Sequence, residues 1–332
     1  MRITNNIITY NFLNSLNKAL ERQNEIQEQL ADGKAVHRPS DDPIKTIRSL
    51  RFNTNLAMNE QFTQNVKDAM SWLETTDGAL SDLSSIVIRA KELVVRAVGP
   101  NPTEAFQAIA QEINGLIDHA VQVGNTKIGD RYIFAGQKDK TTPFERRMVD
   151  PDPSVAGDEY EAVVYSGDTN AISMRIYPGN VQPQQDAVNV TGEDVFGLKS
   201  VTENGQTIYI AKAFDQLLKI KAELEKPNPD LKWLSGEIVP PATEAEGLAW
   251  IDDIHNQILR AQTKIGTRMS MYEMAQNMLE QDNVTITGDI SANEDLDMPK
   301  AIIDFKTSEN VYRSALAVGA RIMPASLVDF LK

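Results

Sequence analysis

The sequence contains no cysteine. That excludes disulfides and thiolate metal sites, while leaving the redox compartment of the protein open. Aromatic residues are scarce, 6% of 332, so a core has to be built chiefly from the aliphatic part of a 41% hydrophobic composition. Positive charge is in deficit: 33 Lys and Arg against 47 Asp and Glu give a formal net charge of -14. Phosphate binding depends on clustered cations, so nucleic acid is excluded as an expected partner, and the charge favours solubility instead. No apolar run is long enough to span a bilayer, so no membrane insertion is expected. The opening "MRITNNIITYNFLNSLNK" lacks the basic, apolar, small-residue layout of a cleavable secretory signal. The protein is expected either to stay inside the cell or to leave by a route that reads no such signal.

Chemistry-bearing motifs are missing as well. His37, His119 and His255 fall in separate segments, with no second histidine at metal-ligand spacing. There is no G-x-S-x-G elbow, no phosphate-binding G-x-x-x-x-G-K-[ST] and no G-x-G-x-x-G. Asn189 and Asn283 each begin an "NVT" sequon, a pattern too short to build on. The expectation is no catalytic residue, no cofactor and no metal.

Helical periodicity is present at both ends. Leu13, Leu16, Leu20, Gln23, Gln27 and Leu30 step by three and four, the seam pattern of a coiled coil, and Gly33 stops that helix. A longer run follows through Leu73, Thr76, Leu80, Leu83, Val87, Ala90, Val94 and Ala97, ending at Gly99 and Pro100. Asn101, Pro102 and Glu104 predict the start of a third helix, whose stripe is Phe106, Ile109, Ile113, Leu116, Ala120 and Val123. From about Ile128 the text turns to short strands and proline-punctuated loops. "AVVY" and "AISMRIY" around "SGDTN" read as a hairpin, with Ile172, Met174 and Ile176 on one face. Helical rhythm is read again over Thr207–Glu225. It resumes through Ile251, Ile254, Ile258, Ala261, Ile265, Arg268, Tyr272, Ala275 and Leu279. A last seam reads Met298, Ile302, Phe305, Glu309, Tyr312, Leu316, Gly319 and Met323.

"HRPSDDPIK", residues 37–45, places Ser40, Asp41 and Asp42 side by side before Pro43. Three adjacent acceptors suit a metal or acid/base site, but also the start of a helix. Pro43 fits the first helical position, and a residue before proline is pushed out of the α region, so Asp42 fits the N-cap. A carboxylate there accepts from free N–H groups at the positive end of the helix dipole, worth about 1–2 kcal/mol together. With no catalytic partner elsewhere, the motif reads as a corner between two helices.

These residues also carry a resemblance. "LADGKAVHRPSDDPIKTIRSLRF" resembles the N-terminal signature of the bacterial flagellin family, and proline after the paired aspartates is similar to its hook-associated junction branch. "NTKIGDRYIFAGQKDKTTPF" (125–144), "AQNMLEQDN" and "GARIMPASLVDFLK" resemble the same branch. The likeness covers about the first 145 and last 85 residues, and little of 145–245.

The resemblance implies a structural part of the flagellum between hook and filament, extracellular, exported uncleaved by the flagellar type III apparatus. The implied partners are further copies in a ring or tubular layer, a hook-associated protein on the hook side, flagellin or a second junction layer on the filament side, and an export chaperone. The fold expected is mainly α: a long helical-bundle rod of N- and C-terminal helices paired as coiled coils, with an inserted β-rich middle domain. Its divisions are a terminal assembly and export domain (1–42 with 284–332), a helical rod (43–135 with 206–283), and a β-rich outer domain (136–205). An insertion-like loop is placed at 227–246. An isolated helix as long as the first is marginal in water. The terminal helices are therefore expected to become ordered when assembly supplies their apolar partner. The seam residues assigned to this are Leu13, Leu16, Leu20, Leu30, Phe305, Tyr312, Leu316 and Met323. Two other readings stay open, filament flagellin and a surface protein with an enzymatic middle domain.

Overall fold

The computed structural model describes residues 2–99, 103–151, 159–177, 187–203, 205–235 and 247–322. In chain order the elements are α1 (Arg2–Asp32), α2 (Pro43–Val98), α3 (Thr103–Gly124), β1 (Lys127–Ile128), β2 (Arg131–Tyr132), β3 (Phe144–Val149) and β4 (Tyr160–Tyr165). There follow α4 (Gly192–Phe196), β5 (Leu198–Glu203), β6 (Gln206–Ala211), α5 (Lys212–Leu224), α6 (Leu231–Leu234), α7 (Leu248–Glu294) and α8 (Met298–Ile322). The fold is mainly α with a β-rich insertion in the middle. Asn101, Pro102 and Met323 lie outside the described residues.

The chain divides into two compact units, residues 1–60 with 280–332 and residues 61–279. In the larger unit α2 and α7 bury the stripes their periodicity marks. Leu73, Thr76, Leu80, Leu83, Val87, Ala90, Val94 and Ala97 are buried, as are Ile251, Ile254, Ile258, Ala261, Ile265, Arg268, Tyr272 and Leu279. The helix α3 adds Phe106, Ile109, Ile113, Ala120 and Val123. The core does not break where helix gives way to strand. Phe144, Val163, Tyr165 and Phe196 belong to the same apolar cluster as Leu80 and Ile258. The few aromatics are concentrated there: the Phe144 ring centroid is 4.7 Å from that of Phe196 and 5.8 Å from that of Phe214.

The sheet is antiparallel, in the order β3-β4-β6-β5. Val163 and Tyr165 of β4 face the main core, while Ala162 and Val164 join Val149 and Ile210 in a second small cluster. Burial on both faces explains why "AVVY" shows no polar alternation.

Three expectations are corrected here. Residues 171–177 form no second hairpin strand. Both edges of β4 are already taken, by β3 and β6, and the segment is tied down by an isolated bridge between Ser173 and Ala187 and by Asn189 Oδ1, which accepts from Ile172 N at 2.7 Å. Residues 207–211, read as the start of a helix, belong to the strand β6. Ile208, Tyr209 and Ile210 are β-branched or aromatic, and they complete a full ladder with β5. Finally, part of the stretch read as an insertion-like loop is the helical turn α6. Asp230 caps it by accepting from Lys232 N and Trp233 N, Leu234 is wholly buried, and the Trp233 and Trp250 rings meet edge to face at 5.4 Å.

Candidate assembly surface

The smaller unit is built on α1 and α8, with a corner after α1. Gly33, at φ 75°, ends α1 and its N–H donates to Gln29 O. The chain then pairs briefly with the α7–α8 connection: Ala35 N donates to Glu294 O at 2.7 Å and Leu296 N to Gly33 O at 2.8 Å. Asp32 accepts from Lys34 N and faces His37 Nε2. In the motif itself Asp41 Oδ2 accepts from Arg38 N at 2.9 Å and Asp41 Oδ1 from Ser40 Oγ at 3.1 Å. Asp42 Oδ1 accepts from both Ile44 N and Lys45 N at 3.0 Å, so Asp42 caps α2 and Pro43 occupies its first position. Both carboxylates of the trio thus accept from the local chain, and Ser40 donates to one of them. The N–H of Arg38 holds the Asp41 carboxyl below its ordinary range, and the N–H of Lys34 does the same for Asp32. Across the corner Glu294 accepts from Ser49 Oγ and is paired with Lys34, and its carboxyl is lowered first by Ser49 and then by Lys34. Among the described residues no group of three or more His, Cys, Asp or Glu side chains could hold a metal ion, and no helix is long and apolar enough to cross a membrane.

The helices α1 and α8 pack antiparallel, with Phe12 against Gly319, where an added Cβ would sit 2.4 Å from the Phe12 ring. The seam they form runs in the opposite alternation from the one read in the sequence. On α1 the residues turned inward are Phe12, Leu16, Ala19, Gln23, Ile26 and Leu30; on α8 they are Ala301, Phe305, Ser308, Tyr312, Ala315 and Gly319. Leu16, Leu30, Phe305 and Tyr312 therefore lie half-buried in the pair. Leu13, Leu20 and Leu316 are exposed on its flank, together with Ile302. Tyr10, Ile303, Val311 and Val318 are exposed further round. The residues missed were the small ones and those one step away, Ala19, Ile26, Ala301, Ala315 and Phe12. Unbroken seven-residue spacing with small side chains in both helices was the available signal. Ile26 is the one α1 residue that is buried among the described side chains. The pair consequently has a thin seam and an uncovered apolar flank.

In the larger unit the stretch 125–144 is a knot between α3 and the sheet. The Asn125 side chain clamps Phe144 through both its N–H and its carbonyl, at 3.0 and 2.8 Å. Gly136, at φ 68°, lies against Asp168, whose N–H donates to Ala135 O and whose Oδ1 accepts from Gln137 N and Asn170 N. The Tyr165 hydroxyl is shared between the carbonyls of Phe134 and Asp168, at 2.9 and 2.8 Å, and burial raises its pKa well above the ordinary phenol range. Every side chain in the run Tyr132–Ala135 is buried. This stretch positions elements and presents no reactive group.

The comparisons agree with this architecture. Residues 3–139 match the model of the bacterial flagellin N-terminal helical region. The chain is 24% identical to a flagellin of Bacillus subtilis strain 168 over 343 aligned positions, covering 100% of both chains. It is 34% identical to flagellar hook-associated protein 3 of Escherichia coli K12 over 119 positions, 35% of this chain and 38% of the relative. The fold is similar to that of the flagellar junction protein of Legionella pneumophila, with a TM-score of 0.53 and 17% identity, covering 76% of this chain and 100% of that one.

Proposed function

Since the chain belongs to the bacterial flagellin family, a family of structural flagellar proteins, we propose that it is a building part of the flagellum at the joint between hook and filament. Copies associate through α1 and α8 into a ring or tubular layer, with a hook-associated protein on one side and flagellin or a second junction layer on the other. The observation that carries assembly is the composition of the α1–α8 pair: one α1 residue buried, with Leu13, Leu20, Ile302 and Leu316 left on an exposed flank. Apolar side chains so placed gain free energy only when another surface covers them, at roughly 1.5–3 kcal/mol each. The choice of the joint over the filament is supported by "RPSDDPIK" and the 125–144 stretch, which resemble the hook-associated branch, and by the E. coli relative. Export through the flagellar type III apparatus, with a chaperone holding the unassembled chain, belongs to the same reading.

The whole-length alignment with the B. subtilis flagellin favours a second reading, a filament subunit. Immunogold labelling of isolated appendages separates the two. A narrow band of label at the hook end, with filaments shed when the gene is deleted, supports the junction. Label along the entire filament supports the alternative.

A further inference from the structure

Two stripes away from the α1–α8 seam complement each other. On α2, Ile44, Ile47, Arg51 and Met58 recur on one helical face with Arg48 on its edge; Ile44, Ile47 and Met58 are exposed, Ile44 by 65%. Between residues 43 and 59 every charged side chain is a cation: Lys45, Arg48 and Arg51. Arg48 and Arg51 line a shallow groove beside Asp289 of their own chain, but neither is in an ion pair among the described residues. On α7, Met271, Met274 and Met278 lie at i, i+3 and i+7 and face solvent, Met274 by 68%, next to the face that buries Tyr272 and Leu279. Asp282 continues that stripe one turn on, exposed and in no ion pair among the described residues. Between residues 269 and 299 every charged side chain is a carboxylate.

A net-acidic protein keeps exposed apolar side chains beside unpaired arginines on one helix, and flexible thioethers on an all-acidic segment of another. Methionine adapts its shape to an incoming surface, and opposite potentials steer two patches together and fix their register. We infer that the Ile44–Met58 stripe of one copy seats on the Met271–Asp282 stripe of a second copy. The contact joins two unlike surfaces, so it passes from copy to copy around or along the layer. It rests on the assembly reading above and specifies which faces meet.

The absence of native cysteine makes the test direct. Ile47→Cys and Met274→Cys chains are co-expressed, and purified appendages are treated with a short bis-maleimide. Dimers are expected from the mixture and not from either variant alone. Dimers from Met274→Cys alone would mean a symmetric methionine contact and overturn the inference. So would incorporated variants that give no dimer, and since immunogold position is scored separately, that result leaves the junction reading standing. Charge reversal serves where a cysteine variant fails to incorporate. Arg48→Glu with Arg51→Glu is expected to lower swimming at least tenfold, and adding Asp282→Lys in the same chain to restore part of it. Failure of the combined variant to exceed the first would overturn the pairing.

Discussion

The backbone at Gly136 offers a sharp test of the knot at 125–144. Gly129 and Gly136 both have positive φ, 60° and 68°. An added Cβ at Gly129 meets nothing within 4 Å, whereas at Gly136 it would lie 2.1 Å from Asp168 Oδ1 and 2.4 Å from Asp168 O. Alanine at either position therefore bears the left-handed backbone penalty, about 1–2 kcal/mol. Only at 136 must the neighbour also move. Asp168 has little freedom to do so, because its carboxylate accepts from Gln137 N and Asn170 N and its backbone is held by Ala135 O and the Tyr165 hydroxyl. Hydrogen bonds to a charged group are each worth about 1.5–3 kcal/mol. Losing the carboxylate's two predicts an excess of roughly 3–6 kcal/mol for Gly136→Ala over Gly129→Ala. For a unit of this size about 2–4 °C of melting temperature corresponds to each kcal/mol. The Gly136 variant should thus melt at least 6 °C below the Gly129 variant in circular dichroism or calorimetry. Melting within about 2 °C of each other would refute the close-approach argument.

The α1–α8 seam makes a paired prediction: α1 amides should exchange fast in the dilute monomer and become protected only in the appendage, and Leu20→Asp should block incorporation, read by immunoblot of sheared cells. Asp42→Ala should cost about 1 kcal/mol, seen by hydrogen exchange as fraying of residues 43–46, with Asp42→Asn losing less. The Arg146 guanidinium holds the Glu161 carboxyl below its ordinary value, so the pair contributes stability above the unfolded carboxylate pKa, near 4.3. That contribution is lost as pH falls through the lower folded value. Glu161→Gln should flatten the acid limb of a denaturation profile below pH of about 4, and an unchanged limb would exclude the linkage.

How far the fold can be read from the residues depends on whether a helix offers one apolar stripe or two. In α7 the positions three and four apart are Ile251, Ile254, Ile258, Ala261 and Ile265, all of them buried, and the exposed Leu259 alone interrupts the polar side chains between them. In α1 the phase is ambiguous. Leu16, Gln23 and Leu30 belong to both possible alternations, and the intermediate steps are Leu13, Leu20 and Gln27 in one and Phe12, Ala19 and Ile26 in the other, so only the last of them separates the two by polarity. Packing decides for the second because Ala19, Ala301, Ala315 and Gly319 let the backbones approach, and Gly319 leaves room for the Phe12 ring. The same limit applies in the middle of the chain. β4 could have formed a hairpin with the residues after it, and nothing local shows that β3 before it and β6, much further along the sequence, claim its two edges first. The corner at Ser40–Pro43 was legible because capping is a local interaction, and the residues that perform it are neighbours in sequence.

The ambiguity in α1 follows from the two demands placed on it. A helix with a single stripe can satisfy a partner in its own chain and leaves nothing for another molecule. One that also carries Leu13 and Leu20 beside its seam holds apolar area that its own chain does not cover. The larger unit shows the contrast, since there α2 and α7 bury nearly every apolar position their period marks, and folding needs no second copy. In the smaller unit a helix of 31 residues buries one of its described side chains, too little to offset the conformational entropy of ordering it. Its stability must therefore rise with the local concentration of the surface that covers the flank. On the assembly reading proposed above, a chain divided in this way folds its middle early while its ends stay available for other copies.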